Sequence, residues 1–253
     1  MARIALFLQS NKGGCITIAF SQSPALQEQF MFRKNWWKIL SVALLLFTFI
    51  RGFLGDVPHK PILNETIRNY YFHVAMWMSM MIFFIVSVVY SVKVLRSNNP
   101  VNDIYAEEFA KTGIVFSLLG ITTGSVWARF TWGAFWSNDP KQLGAAIAIL
   151  IYLAYLVLRN SITDLDKRAR IAAVYNIFAF AMLFPTIFII PRLMESLHPG
   201  GMGNPVFNSK DVDSEMHLIF LLALVPGWTL LGLWITSLRI RLKLLAEKKY
   251  SNA

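Results

Sequence analysis

The chain is poor in cysteine and in charge. A single cysteine, Cys15, stands among 253 residues, which excludes an internal disulfide, a zinc knuckle and a Cys-x-x-Cys-His attachment site. Charged residues make up 15% of the chain and hydrophobic ones 56%, whereas a soluble domain averages about 25% charged and roughly 45–50% apolar. Acidic residues are the scarcer kind, 14 Asp and Glu against 24 Lys and Arg, for a formal net charge of +10. No Gly-x-x-x-x-Gly-Lys-Ser/Thr loop is present, so ATP hydrolysis by that route is excluded. No nucleophile elbow supports Ser-His-Asp chemistry. There is no internal repeat and no low-complexity tract.

What is present is apolar sequence in blocks, with a mean hydropathy of +0.51. A spanning helix needs about 20 mainly apolar residues. Six segments approach that rule: Trp37–Leu54, Tyr70–Val92, Thr112–Ala128, Gln142–Leu158, Ile171–Ile190 and His217–Leu238. The expected fold is an all-α polytopic membrane protein with six transmembrane helices. An even number of spans puts both termini on one side. With the termini inside, the inner segments carry Lys and Arg in about a two-to-one excess over the outer ones, the bias of cytoplasmic loops. The basic balance is thus a topology signal, and no nucleic-acid partner is expected. Both termini are therefore expected to be cytoplasmic, with the lipid bilayer as the protein's solvent.

Residues 1–30 are too rich in Gln, Ser, Asn and Lys to span, and the apolar run Ile4–Leu8 is shorter than a signal-peptide core of about 7–15 residues. Met31 opens a short basic stretch with an aromatic anchor. Residues 1–30 are therefore expected to be a mis-called start or a flexible extension, and residues 31–253 the six-span domain.

All four histidines fall on the outer side of this topology: His59, His73, His198 and His217. Between them runs a tryptophan-rich segment with Trp127, Trp132, Trp136 and Asp139. Trp132, Trp136 and Asp139 stand at i, i+4 and i+7, which in a helix is one face. A short amphipathic helix along the outer membrane surface is expected there, stopped by Pro140. Taken singly, each tryptophan is explained as an interfacial anchor, and each histidine as a polar interface residue. That reading is kept for His59, beside two prolines. His217, at the start of the sixth span, is a candidate third ligand-facing residue.

Convergence is what singles out this face: aromatic rings, imidazoles and the cations Arg68, Arg129, Lys141 and Arg192 gather on one side of an apolar chain. Haem asks for that set. Its iron takes axial imidazoles and its carboxylates want cationic partners. His73 and His198 are the candidate ligands of the haem iron, with Arg129 or Lys141 for the propionates. A zinc site would want closely spaced His, Cys or carboxylate ligands, and that spacing is absent.

The pattern Trp127-x4-Trp132-Gly-x-x-Trp136-x-x-Asp139 resembles the WWD motif of the haem-handling proteins of cytochrome c-type biogenesis, within them the CcmC (HelC, haem exporter protein C) family, with CcsA as a larger relative. Tyr71-Phe-His73-Val-Ala-Met-Trp77 and Ser196-Leu-His198-Pro-Gly resemble its two histidine segments. Asn138 stands where a tryptophan is usual, Ala75 where a proline is, and Lys141 where an arginine is common. The resemblance implies His73 and His198 as axial ligands and Trp127, Trp132, Trp136 and Asp139 as the haem platform. It implies haem b, bound non-covalently and transiently, and transfer to a CcmE-like haem chaperone. The partners it implies are CcmA/CcmB-like ABC transporter subunits and a small CcmD-like subunit. The function expected is haem binding and haem transport, not enzymatic turnover. Two alternatives stand beside it: a CcsA-like subunit of a cytochrome c synthase, and a membrane scaffold or transporter without haem.

Overall fold

The computed structural model of the chain describes residues 6–10, 16–20, 24–59, 62–97, 99–198 and 213–251, with side chains described from Asn35 to Glu247 within those ranges. It divides into two compact units, Met1–Leu40 and Ser41–Ala253. In the first, β1 (Leu6–Ser10) pairs antiparallel with β2 (Ile16–Phe20), Leu6 opposite Phe20 and Ser10 opposite Ile16. These strands lie in the segment read from sequence as an extension. The rest of residues 1–23 lies outside the described residues.

From Pro24 onward most of the described residues are helical. They form α1 (Pro24–Leu54), a 3-10 turn (Asn64–Asn69), α2 (Tyr70–Arg96), α3 (Pro100–Trp132), α4 (Pro140–Ser161) and α5 (Leu165–Leu183). A π turn (Phe184–Ile189) leads into α6 (Ile190–Leu193). After it come α7 (Ser214–Ile219), a second π turn (Phe220–Leu224) and α8 (Val225–Ser251). Among the described residues six stretches are long and apolar enough to cross a bilayer, the first Asn35–Leu54 and the last Ser214–Glu247, in agreement with the six expected spans. The two π turns accompany Pro185 and Pro226, whose missing N–H groups break the α ladder.

Two expectations change. The third span does not begin at Thr112: α3 starts at Pro100, with Asn99 capping the Val101 N–H. Its added turns carry Asp103, Glu107 and Glu108, all buried. Arg159 of α4 grips Asp103 through both carboxylate oxygens at 2.7 and 2.5 Å and reaches Glu107 at 3.0 Å. Lys111 meets Glu107 at 2.5 Å. From α8, Lys243 meets Glu107 at 2.6 Å and Arg239 meets Glu108 at 2.5 Å. Buried carboxylates persist only when paired in this way, and the cluster fastens α3, α4 and α8 at one end of the bundle.

The second change lies at the opposite end. The amphipathic helix expected over Trp132–Asp139 does not form. Gly133, at φ 86°, takes the left-handed conformation that ends α3, its N–H bonded to the Arg129 carbonyl. An irregular loop then runs to Asp139, which caps α4 ahead of Pro140. Asn138 within that loop has φ 56°, a conformation Asn tolerates and a bulky tryptophan does not.

Between the two ends, α2 and α3 pack along a seam rich in aromatic rings. Phe83 stacks near Phe109 and Phe116, and Phe84 lies over Tyr152 of α4. A Cβ on Gly120 would stand 2.9 Å from the Trp77 ring, so the bare backbone there is what lets the indole lie against α3. Small residues serve helix contact inside membranes in this way. α2 runs unbroken through Ala75, which is fully buried.

Candidate functional site

His73 lies one turn into α2, and its Nδ1 is 2.8 Å from the Gly120 carbonyl of α3. A carbonyl only accepts, so Nδ1 carries the proton and Nε2 keeps a free lone pair. Asn69, one turn earlier, donates to the Thr123 carbonyl at 2.7 Å, and the two bonds fix the rotation of α2 against α3. A Cβ on Gly124 would stand 2.4 Å from the imidazole of His73, closer than side chains approach one another.

His198 follows α6 in a loop, and that loop is tied down by Asp139. The Asp139 carboxylate accepts from Ser196 Oγ at 2.9 Å, from the Leu197 N–H at 2.7 Å and from the Lys141 N–H at 2.9 Å. Its Oδ1 lies 2.9 Å from Nδ1 of His198, a close contact without hydrogen-bond geometry. Burial works to raise the Asp139 carboxyl. The contact with His198 and the two backbone N–H groups outweigh it and hold the group well below the usual carboxylate range. An ionised Asp139 leaves the proton of a neutral His198 on Nδ1 and the lone pair on Nε2.

Both histidines line one cavity of about 280 Å³. Its walls are Val74, Trp77 and Met78 of α2, Ile121 of α3, Ala145 of α4 and Ile187 and Phe188 of the π turn. Lys141 and Arg192 bring positive charge to the same wall, with Gln142 and Ser125 as the neutral polar groups. Aromatic rings back the imidazoles. Trp127 meets His73 edge-on at 5.8 Å, and Trp132 lies 5.0 Å from His198. The Trp127 indole N–H donates to Thr66 Oγ1 at 3.1 Å.

The sequence-derived residues thus divide. His73, His198 and Lys141 meet at the cavity, with Trp127 and Trp132 against the imidazoles. Trp136 is exposed, its indole N–H bonded to Asn138 at 2.7 Å, and does not line the cavity. Asp139 is a bracket for the His198 loop more than part of a flat platform. Arg129 folds back on the Gly133 carbonyl, its guanidinium 5.9 Å from the Phe135 ring centre, and does not line the cavity, whereas Arg192 does. Arg68 is held by Glu65 and the Gly52 and Gly55 carbonyls. His217 packs against Tyr70 at 6.2 Å, and His59 is exposed in its loop; neither lines the cavity. Sequence reading missed Trp77, whose i+4 spacing from His73 was a readable signal, and Ser196, whose bond to Asp139 spans 57 positions.

The donor set fits haem: two imidazoles with free Nε2 positions, an apolar cavity between them, and two cations at its wall. Among the described residues no group of three or more His, Cys, Asp or Glu could hold a metal ion directly.

Fold and site together define a six-helix membrane protein with a paired-histidine cavity at one end of the bundle. The family model CcmC, heme exporter protein C, matches residues 17–253, and the chain belongs to that family. It is 29% identical to the heme exporter protein C of Bradyrhizobium diazoefficiens, over 78% of this chain and 73% of that one. To the heme exporter protein C of Haemophilus influenzae it is 28% identical, over 54% of this chain and 55% of that one. It is also similar to the cytochrome c biogenesis protein CcsA of Panax ginseng, 27% identical over 64% of this chain and 50% of that one. Its role is haem handling in cytochrome c biogenesis. It is a multi-pass protein of the bacterial inner membrane.

Proposed function

We propose that the chain holds haem b, without a covalent bond, between His73 and His198 on the outer face of the membrane and passes it to a CcmE-like haem chaperone for cytochrome c maturation. The observation that carries this reading is the meeting of both imidazoles in one cavity, Nδ1 of His73 bonded to the Gly120 carbonyl and Nδ1 of His198 2.9 Å from the Asp139 carboxylate. A carbonyl or carboxylate beside the far ring nitrogen fixes the tautomer of a ligating histidine. Lys141 and Arg192 face the propionates. Trp77, Ile187 and Phe188 cover the ring, and their burial contributes about 25 cal/mol per Å².

The charge bias of the loops supports an outward-facing cavity, with the ion-paired end of α3, α4 and α8 and both termini cytoplasmic. The protein binds and releases its cargo without turnover chemistry of its own. ATP-driven work falls to CcmA/CcmB-like partners, with a small CcmD-like subunit beside them.

The likeness to CcsA favours a second reading, a subunit of a cytochrome c synthase. A transfer assay separates the two. Haem-loaded protein in detergent is mixed with an apo CcmE-like chaperone or with an apocytochrome c, and haem is followed to the acceptor. Transfer to the chaperone is the expected result. Attachment straight to the apocytochrome would replace the exporter reading with the synthase one.

A further inference from the structure

The two imidazoles are not held alike. His73 Nδ1 rests on neutral groups, the Gly120 carbonyl at 2.8 Å and, more distantly, Thr123 Oγ1 at 3.4 Å. His198 faces a carboxylate that is 4% exposed and already bonded to Ser196, Leu197 and Lys141. Those bonds join the His198 loop to the capped start of α4. A carboxylate at Nδ1 also pushes electron density to Nε2 and raises the basicity of a ligand, which a backbone carbonyl does less.

Resting on the haem reading above, we propose that Asp139 is the positioning residue of the site: it makes His198 the strong, retained imidazole and His73 the weaker one, exchanged first when haem is passed on. The tryptophan-rich motif then has two tasks. Trp132 covers His198 from one side while Asp139 orients it from another. The order of release follows from ligand strength alone and needs no movement of the helices.

Haem is titrated into purified His73→Ala, which keeps only His198, and into His198→Ala, which keeps only His73, each with and without Asp139→Asn. The His198-only protein is expected to bind more tightly. Asp139→Asn is expected to weaken it by about 10–100-fold, the usual loss on removing an outer-shell partner, and to leave the His73-only protein unchanged. In the chain with both histidines, Asp139→Asn is expected to move the haem midpoint potential upward, a shift that a merely structural role would not give. Ser196→Ala keeps both carboxylate and cap; it is expected to weaken the His198-only protein by a smaller factor and to spare the other. Equal weakening of both single-histidine proteins, or of neither, overturns the proposal. The unsubstituted chain separates the two levels: if it takes up haem with a bis-imidazole spectrum while Asp139→Asn changes nothing, only the role of Asp139 falls. If it takes up none, the haem reading falls with it.

Discussion

The imidazole of His73 occupies the space that a side chain at Gly124 would need. The ring is held there by the Gly120 carbonyl, one turn earlier on the same helix. Helix α3 therefore shapes one of the two imidazole positions without contributing a ligand. Gly124→Ala is expected to displace His73 and to lower the haem-to-protein ratio as far as His73→Ala does. The substitution also favours helix by up to about 1 kcal/mol, so the apo protein should remain folded. Haem retention at the unsubstituted level in Gly124→Ala would remove this constraint from the account.

Trp132 and Trp136 have different surroundings, so their truncation should differ. Trp132 lies 5.0 Å from His198, whereas Trp136 is 41% exposed and bonds only within its loop to Asn138. Trp132→Ala is expected to reduce retained haem with little loss of expression, and Trp136→Ala to reduce it less. Visible absorption of the two purified variants checks the order. The reverse order would put the haem edge over the exposed loop.

The remaining histidines provide a control. His59 is exposed and His217 packs on Tyr70, and neither reaches the cavity. His59→Ala and His217→Ala are each expected to leave the haem spectrum unchanged. A lost or shifted Soret band in His217→Ala would add a third haem-facing residue.

At the other end of the bundle the energetics are those of a buried ion cluster. Arg159 is 3% exposed and serves Asp103 and Glu107 together. Arg159→Met is expected to cost about 3–5 kcal/mol, because it leaves the buried Asp103 carboxylate unpaired. Replacing Asp103 by Leu in the same chain should recover part of that loss. Denaturation of the detergent-solubilised apo protein measures both. A single variant as stable as the original would show the carboxylates to be reached by water.

Apolar run length was enough to locate all six spans, because a bilayer imposes a length and a polarity that one stretch of chain must meet alone. It failed at the start of α3. Asp103, Glu107 and Glu108 count as polar in any local reading, and their neutralising partners Arg159, Arg239 and Lys243 lie 52–136 positions away. The candidate ligands were legible as His73 and His198 because residue type and motif context mark them. The bond from Ser196 to Asp139 was not, since it joins distant loops. The expected helix over Trp132–Asp139 rested on a spacing that Gly133 interrupts: one residue at φ 86° outweighs an i, i+4, i+7 pattern.

The most direct measurement is the visible absorption spectrum of the purified, haem-supplied protein, oxidised and reduced, beside the His73→Ala/His198→Ala double variant. A Soret band of bis-imidazole type in the first and its disappearance in the second is the predicted result. A band that persists unchanged in the double variant, or none in the unsubstituted protein, contradicts haem binding between His73 and His198.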